Sequence, residues 1–145
     1  MTCLAPNERF REARERLHLS VDEAATLCGI SAPCLRDLEG YSDDLTNCYS
    51  ATDLVRFCAA LQISATALFG TDIIGAPVSA AELADLIREE CRLRKITIDQ
   101  FEDVVGWNLR DSLEPPQRLL GLSLDGLQWL CRELHLDWRR VLIAL

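Results

Sequence analysis

Seven cysteines, at positions 3, 28, 34, 48, 58, 91 and 131, and two histidines, His18 and His135, are the residues of this 145-residue chain whose types most readily do chemistry. Their spacing assembles no reactive centre. Cys28 and Cys34 are separated by five residues with no Cys-x-x-Cys beside them, whereas a zinc site needs four ligands at recognisable intervals, so no metal site is read. Cys28, Cys58 and Cys131 fall on apolar helical faces, where cysteine serves as a small core residue. Cys34 is expected to be exposed; a redox-sensing thiol there needs a cationic neighbour, and its near neighbour is Asp37. Both histidines read as turn residues. The chain has no phosphate-cradling glycine loop, no G-x-S-x-G, no H-E-x-x-H and no Cys/His nucleophile pair. The expectation is a protein that binds rather than catalyses, with no catalytic residues and no cofactor.

Composition narrows the class of partner. Hydrophobic residues make up 49 % and Gly plus Pro only 12 positions, the balance of a folded domain. No basic-then-apolar leader opens the chain and no apolar stretch reaches the ~18 residues of a membrane span, so a cytoplasmic protein without a membrane partner is expected. An odd cysteine count in a reducing compartment argues against a disulfide framework. Twenty-three acidic residues face 15 basic ones, a net charge of -8, and 14 of the 15 are arginine. That balance disfavours nonspecific polyanion binding.

The elements that must position a binding surface occur twice. Leu54, Phe57, Cys58 and Leu61 line up with Leu127, Leu130, Cys131 and Leu134 at an offset of 73. Upstream, Ser20-Val21-Asp22 and Gly29 line up with Thr97-Ile98-Asp99 and Gly106 at an offset of 77, so the second copy is four residues shorter in its middle. The apolar spacing i, i+3, i+4, i+7 is helical and no strand alternation is present. Helix starts are read at Ser20, Ser31, Ser50, Ser64, Ser79, Thr97, Asn108, Ser123 and Asp137, and stops at Gly29, Gly40, Gly70 and Gly106. The result is an all-α protein of about five short helices per copy: residues 1–70, a linker at 71–78, and residues 79–145.

Between Ser20 and Gly40 the pattern meets the mechanical needs of a helix-turn-helix. Ala25 permits close helix approach, Gly29 can take positive φ at the turn, and Ile30, Leu35 and Leu38 pin the following helix to the core. With Arg14, Glu39 and Leu61-Gln-Ile63-Ser64, this segment resembles the lambda repressor and Cro type, the XRE-like helix-turn-helix family, from Arg9 to Phe69. Arg14 and Glu39 match the family's helix-bridging ion pair. Arg88 to Leu142 resembles a degenerate second copy, with Cys91 at the Arg14 position and Pro115-Pro116 cutting its third helix. Tandem copies would present two such elements to successive major grooves.

What the resemblance implies is a DNA-binding transcriptional regulator whose third helix meets duplex DNA through Ser31, Ala32, Pro33, Cys34 and Arg36. Of these only Arg36 donates strongly, whereas base readout favours Arg, Lys, Asn and Gln. From Ser20 to Asp44 Arg36 is the one basic residue against six acids, and Thr97 to Arg118 is acidic too. A homodimer would gather Arg9, Arg11, Arg16 and Arg36 into one patch. The alternative is the same scaffold reused for a protein partner, as an antitoxin-, immunity- or adaptor-like module. Trp129 with the terminal apolar run, Leu142 and Leu145 in particular, is the candidate surface for that partner.

Overall fold

In a computed structural model, which describes residues 3–145, the chain is helical and divides into two compact units, one ending at Asp72 and the other running Ile73–Leu145. Among the described residues no helix is long and apolar enough to cross a membrane.

The first unit carries α1 (Pro6–Arg16), α2 (Val21–Cys28), α3 (Ala32–Gly40), α4 (Asp44–Cys48), α5 (Ala51–Leu61) and α6 (Ala65–Phe69). Four of these helices, α2, α3, α5 and α6, begin where a hydroxyl can satisfy a free N–H: Ser20 accepts from Glu23, Ser31 from Cys34, Ser50 from Asp53 and Ser64 from Ala67. Phe10, Leu35, Leu38, Leu45, Leu54, Phe57, Leu61 and Leu68 are buried around an edge-to-face pair, Phe10 and Phe57, with centroids 6.1 Å apart. Each such side chain contributes about 1.5–3 kcal/mol by leaving water. The short α4 has no side-chain cap and a single buried residue, Leu45, so nothing in the pattern announces it.

The second unit carries α7 (Ala80–Arg94), α8 (Ile98–Val105), two 3₁₀ segments η1 (Arg110–Ser112) and η2 (Pro116–Gly121), α9 (Leu124–Glu133) and α10 (Arg139–Ile143). Residues 73–78, six of the eight residues of the expected linker, belong to it, and two bonds stitch them there: the Val78 N–H donates to the Arg140 carbonyl at 3.0 Å, and Arg140 Nε donates to the Ala76 carbonyl at 2.7 Å.

Backbone geometry repeats at both offsets. Left-handed residues His18 and Lys95 (φ 56° and 57°) correspond at 77, as do Gly29 and Gly106 (70° and 84°), while Gln62 and His135 (55° and 53°) correspond at 73. Both histidine turns thus end helices, as their positions predict. The copies part company where four residues are missing. The nine-residue α3 has only the three-residue turn η1 as its counterpart, instead of the third helix expected from Asn108. Pro115 and Pro116 have no N–H to extend a helix, and the cap comes from elsewhere: Glu102 Oε1 accepts from the Leu109 and Arg110 N–H groups at 2.8 and 2.6 Å. Gly40 likewise does not stop its helix by a left-handed turn; α3 runs through it and ends at Tyr41 in extended conformation.

Candidate functional site

The sharpest local construction is the α2–turn–α3 corner. Ser20 and Glu23 form a reciprocal cap, Ser20 Oγ accepting from the Glu23 N–H at 3.1 Å and Glu23 Oε2 from the Ser20 N–H at 2.7 Å. The helix ends on Gly29 at φ 70°, with the Ile30 N–H returning to the Ala25 carbonyl at 3.0 Å. A side chain at Gly29 would have to hold the left-handed region at a cost of about 1 kcal/mol. Ala24 and Ala25 are buried, so the two helices approach closely.

Helix α3 then shows two faces. Leu35 and Leu38 point into the core, whereas Ser31, Pro33, Cys34, Arg36 and Asp37 are exposed and Ala32 is half-buried. Ser31 Oγ caps the helix by accepting from the Cys34 N–H at 3.3 Å, and the first turn holds no carboxylate. Its positive dipole end is therefore uncompensated, unlike that of α2, whose first turn carries Asp22 and Glu23.

Behind this face the Arg14 guanidinium grips Glu39 with two bonds, Nε to Oε1 at 2.6 Å and Nη2 to Oε2 at 3.0 Å, and spends Nη1 on the Leu19 carbonyl at 2.8 Å. The side chains are only 13 % and 8 % exposed. Bidentate bonding in that setting raises the Arg14 pKa despite the opposing effect of burial. Asn7 adds a bond from Nδ2 to the Glu39 carbonyl at 3.1 Å. Helices α1 and α3 are thus tied by side chains that face away from solvent.

The charge on the exposed face is negative. With Glu39 consumed by Arg14, Asp22, Glu23, Asp37, Asp43 and Asp44 stand against Arg36, which has no hydrogen bond or ion pair among the described residues. Arg11 and Arg16 are likewise unpaired among the described residues, but Arg9 is withdrawn from the expected basic patch. Its Nη1 donates to the Ala67 and Leu68 carbonyls, both at 3.2 Å, and Nη2 to Cys3 Sγ at 2.7 Å.

The cysteines divide by burial. Cys28, Cys58, Cys91 and Cys131 are buried, which pushes their thiols up, to about 11 for Cys58 and about 12 for Cys131, so they stay protonated and inert. Cys34 and Cys48 are exposed beside Tyr49. Burial first, then these neighbouring thiols, push the Tyr49 hydroxyl to about 12, and its ring packs edge-on against Phe57 at 5.0 Å. Among the described residues no three His, Cys, Asp or Glu side chains gather into a metal-holding group.

In the second unit Trp129 is 43 % exposed with the Arg132 guanidinium 4.7 Å over its ring, and Leu145 is 45 % exposed. Leu142 is not part of that surface. It is 3 % exposed, packed inward next to Val141 on one turn of α10, so of the terminal apolar run only its last residues face solvent. Trp107, which lines up with Ile30 at the offset of 77, is half-buried like it and lies against Gly126. The pair missing at Cys91 has a substitute that spacing did not disclose: Arg94 bonds Glu90 at 2.7 Å and both the carboxylate and the carbonyl of Glu133, tying α7 to α9.

No protein-family model matches the chain, and no curated protein matches it in sequence.

Proposed function

We propose that the protein is a non-catalytic, DNA-binding transcriptional regulator built from two tandem helix-turn-helix domains of the lambda repressor and Cro type, the second degenerate. The observation that carries this reading is the α2–Gly29–α3 corner, with its left-handed glycine, buried alanines and one solvent-facing side of α3. In this reading α3 enters the major groove, and the N–H groups at its Ser31-capped, carboxylate-free start meet a phosphate. Arg36 is the base-edge donor, worth about 1–3 kcal/mol of discrimination. Ala32, Pro33 and Cys34 supply only close contact, so DNA shape contributes more than base-edge hydrogen bonds. The second unit has only the three-residue η1 in place of α3 and, in this reading, reads no half-site.

Electrostatics sets the strength. Each phosphate neutralised contributes about -0.9 to the slope of log K against log salt, so Arg11, Arg16 and Arg36 support a slope of about -3 per chain, shallow for a regulator. Arg36→Glu should abolish binding to a selected duplex in gel-shift or anisotropy titration; unchanged affinity in that variant removes this docking mode.

A second reading has one observation in its favour, the excess of exposed carboxylates around α3. It makes the scaffold a protein-interaction module, antitoxin-, immunity- or adaptor-like, contacting its partner through Trp129 and Leu145. Binding to an apolar protein surface would change little with salt, where duplex binding falls as salt rises.

A further inference from the structure

The first and last helices of each unit leave a groove between them, and the two grooves differ in a way that points to a ligand. In the first unit the groove is lined by Arg9, Glu12, Arg16, Ile63 and Ala67, and Arg9 spans it to reach the carbonyls of α6. In the second unit the counterpart of Arg9, at the offset of 77, is Leu86, which is 40 % exposed and reaches no carbonyl. The groove there, of about 610 Å³, keeps an apolar floor of Leu86, Leu134 and Leu136.

One wall of that floor is acidic. Glu82, Asp85 and Glu89 lie at i, i+3 and i+7 on α7, a single row along one side of the helix. The Glu82 carboxylate has no partner among the described residues. Among the described residues Asp85 and Glu89 hold only exposed same-helix partners: Asp85 a single bond from Arg88 at 3.3 Å, and Glu89 two bonds from Arg92, one of them at 2.8 Å. A single exposed pair such as Asp85–Arg88 is worth a few tenths of a kcal/mol and exchanges readily for an incoming cation, while the bidentate Glu89–Arg92 pair is the tighter of the two. On the opposite wall stand His135 and Arg140, the latter held by the Ala76 carbonyl.

We propose that this groove docks a basic amphipathic peptide helix, its leucine-type side chains resting on Leu86, Leu134 and Leu136 and its Lys or Arg side chains, one per turn, meeting Glu82, Asp85 and Glu89. Charge complementarity selects that occupant. An acidic helix is repelled by the row, and an uncharged one leaves it solvated with no gain. The groove belongs to the second unit and α3 to the first, so this proposal stands or falls apart from the DNA reading.

The test is anisotropy titration of the full chain, at about 50 mM salt, with a fluorescein-labelled amphipathic helix of leucines and lysines about as long as the 15 residues of α7. A counterpart with every lysine replaced by glutamate serves as the control. The lysine peptide binds and the glutamate peptide does not. Glu82→Lys with Glu89→Lys weakens binding about tenfold or more, and so does Leu86→Arg, which puts back the arginine that spans the first groove. Asp103→Lys with Asp111→Lys, the same change in charge on another face of that unit, stays within about twofold. Circular dichroism of each variant matches the parent; if the Glu82/Glu89 variant does not fold, Leu86→Arg carries the test. Absence of lysine-peptide binding, unchanged affinity in the groove variants, or equal losses in both double variants would overturn the proposal.

Discussion

Arg14 and Glu39 show how much one residue pair decides here. Their two hydrogen bonds sit almost out of water, so removing one partner leaves a charge with neither solvent nor counterion. Arg14→Ala should cost about 3 kcal/mol in urea denaturation, while Arg14→Leu with Glu39→Leu, which removes both charges and keeps apolar volume, should cost clearly less. Equal losses would mean that the pair acts through packing alone. Asp137 gives a pH signature. It accepts from the Arg139 guanidinium at 2.8 Å and from its N–H at 3.0 Å, which holds its carboxyl below the usual range. Because the folded value lies below the ~3.9 of an unfolded aspartate, the stabilisation is whole above that pKa and is lost as pH falls through the folded value. Asp137→Asn, which removes the charge facing Arg139, should therefore cost up to about 1 kcal/mol at neutral pH, and the gap from the parent should close as acid is added below about pH 4. A gap that persists undiminished at the acid end would contradict this.

At the scale of elements, hydroxyl caps and left-handed helix ends made most of the fold readable. Ser20, Ser31, Ser50, Ser64, Ser79, Thr97 and Ser123 each sit one residue before a helix and accept the N–H that the pattern assigns them. What stayed hidden depends on contacts between one element and another, or on runs too short to show a period. Asn108 looks like a cap, but Glu102 on the preceding helix takes the free N–H groups, and η1 forms in place of a helix. Leu142 sits in an apolar run too short for periodicity to say which residue turns inward. Arg9 resembles its neighbours on a charged face until the end of α6 folds back to meet it. Trp107 and Gly126 make another such contact. A Cβ built on Gly126 would come within 2.8 Å of the indole, a rigid ring, so the glycine in α9 is there for space rather than for its backbone. Gly126→Ala should cost about 1–3 kcal/mol and shift the tryptophan emission as Trp107 is displaced; a variant with parental stability and emission would show that the ring moves aside freely.

For the molecule as a whole, the internal repeat relates what single residues do not. The two copies share their caps, their left-handed turns and their apolar stripes, and differ at the corner where four residues are missing. The first copy keeps a full α3 backed by a buried ion pair, and the second keeps the scaffold without that helix. The proposed account follows from that asymmetry: one reading helix per chain, few unpaired arginines, and therefore one half-site and a shallow salt response. Of the candidate surface, exposure was legible outright only for Cys34; Ser31, Pro33 and Arg36 are exposed beside it and Ala32 is half-buried, while the withdrawal of Arg9 and the burial of Leu142 were not legible.

The most direct test is to equilibrate the purified full chain with a randomised duplex pool across about 50–200 mM salt and to sequence what is retained. The account predicts enrichment of a single half-site motif, a negative salt slope of about -3, and loss of both in Arg36→Glu. No retention at the lowest salt, or retention that Arg36→Glu leaves intact, would contradict it.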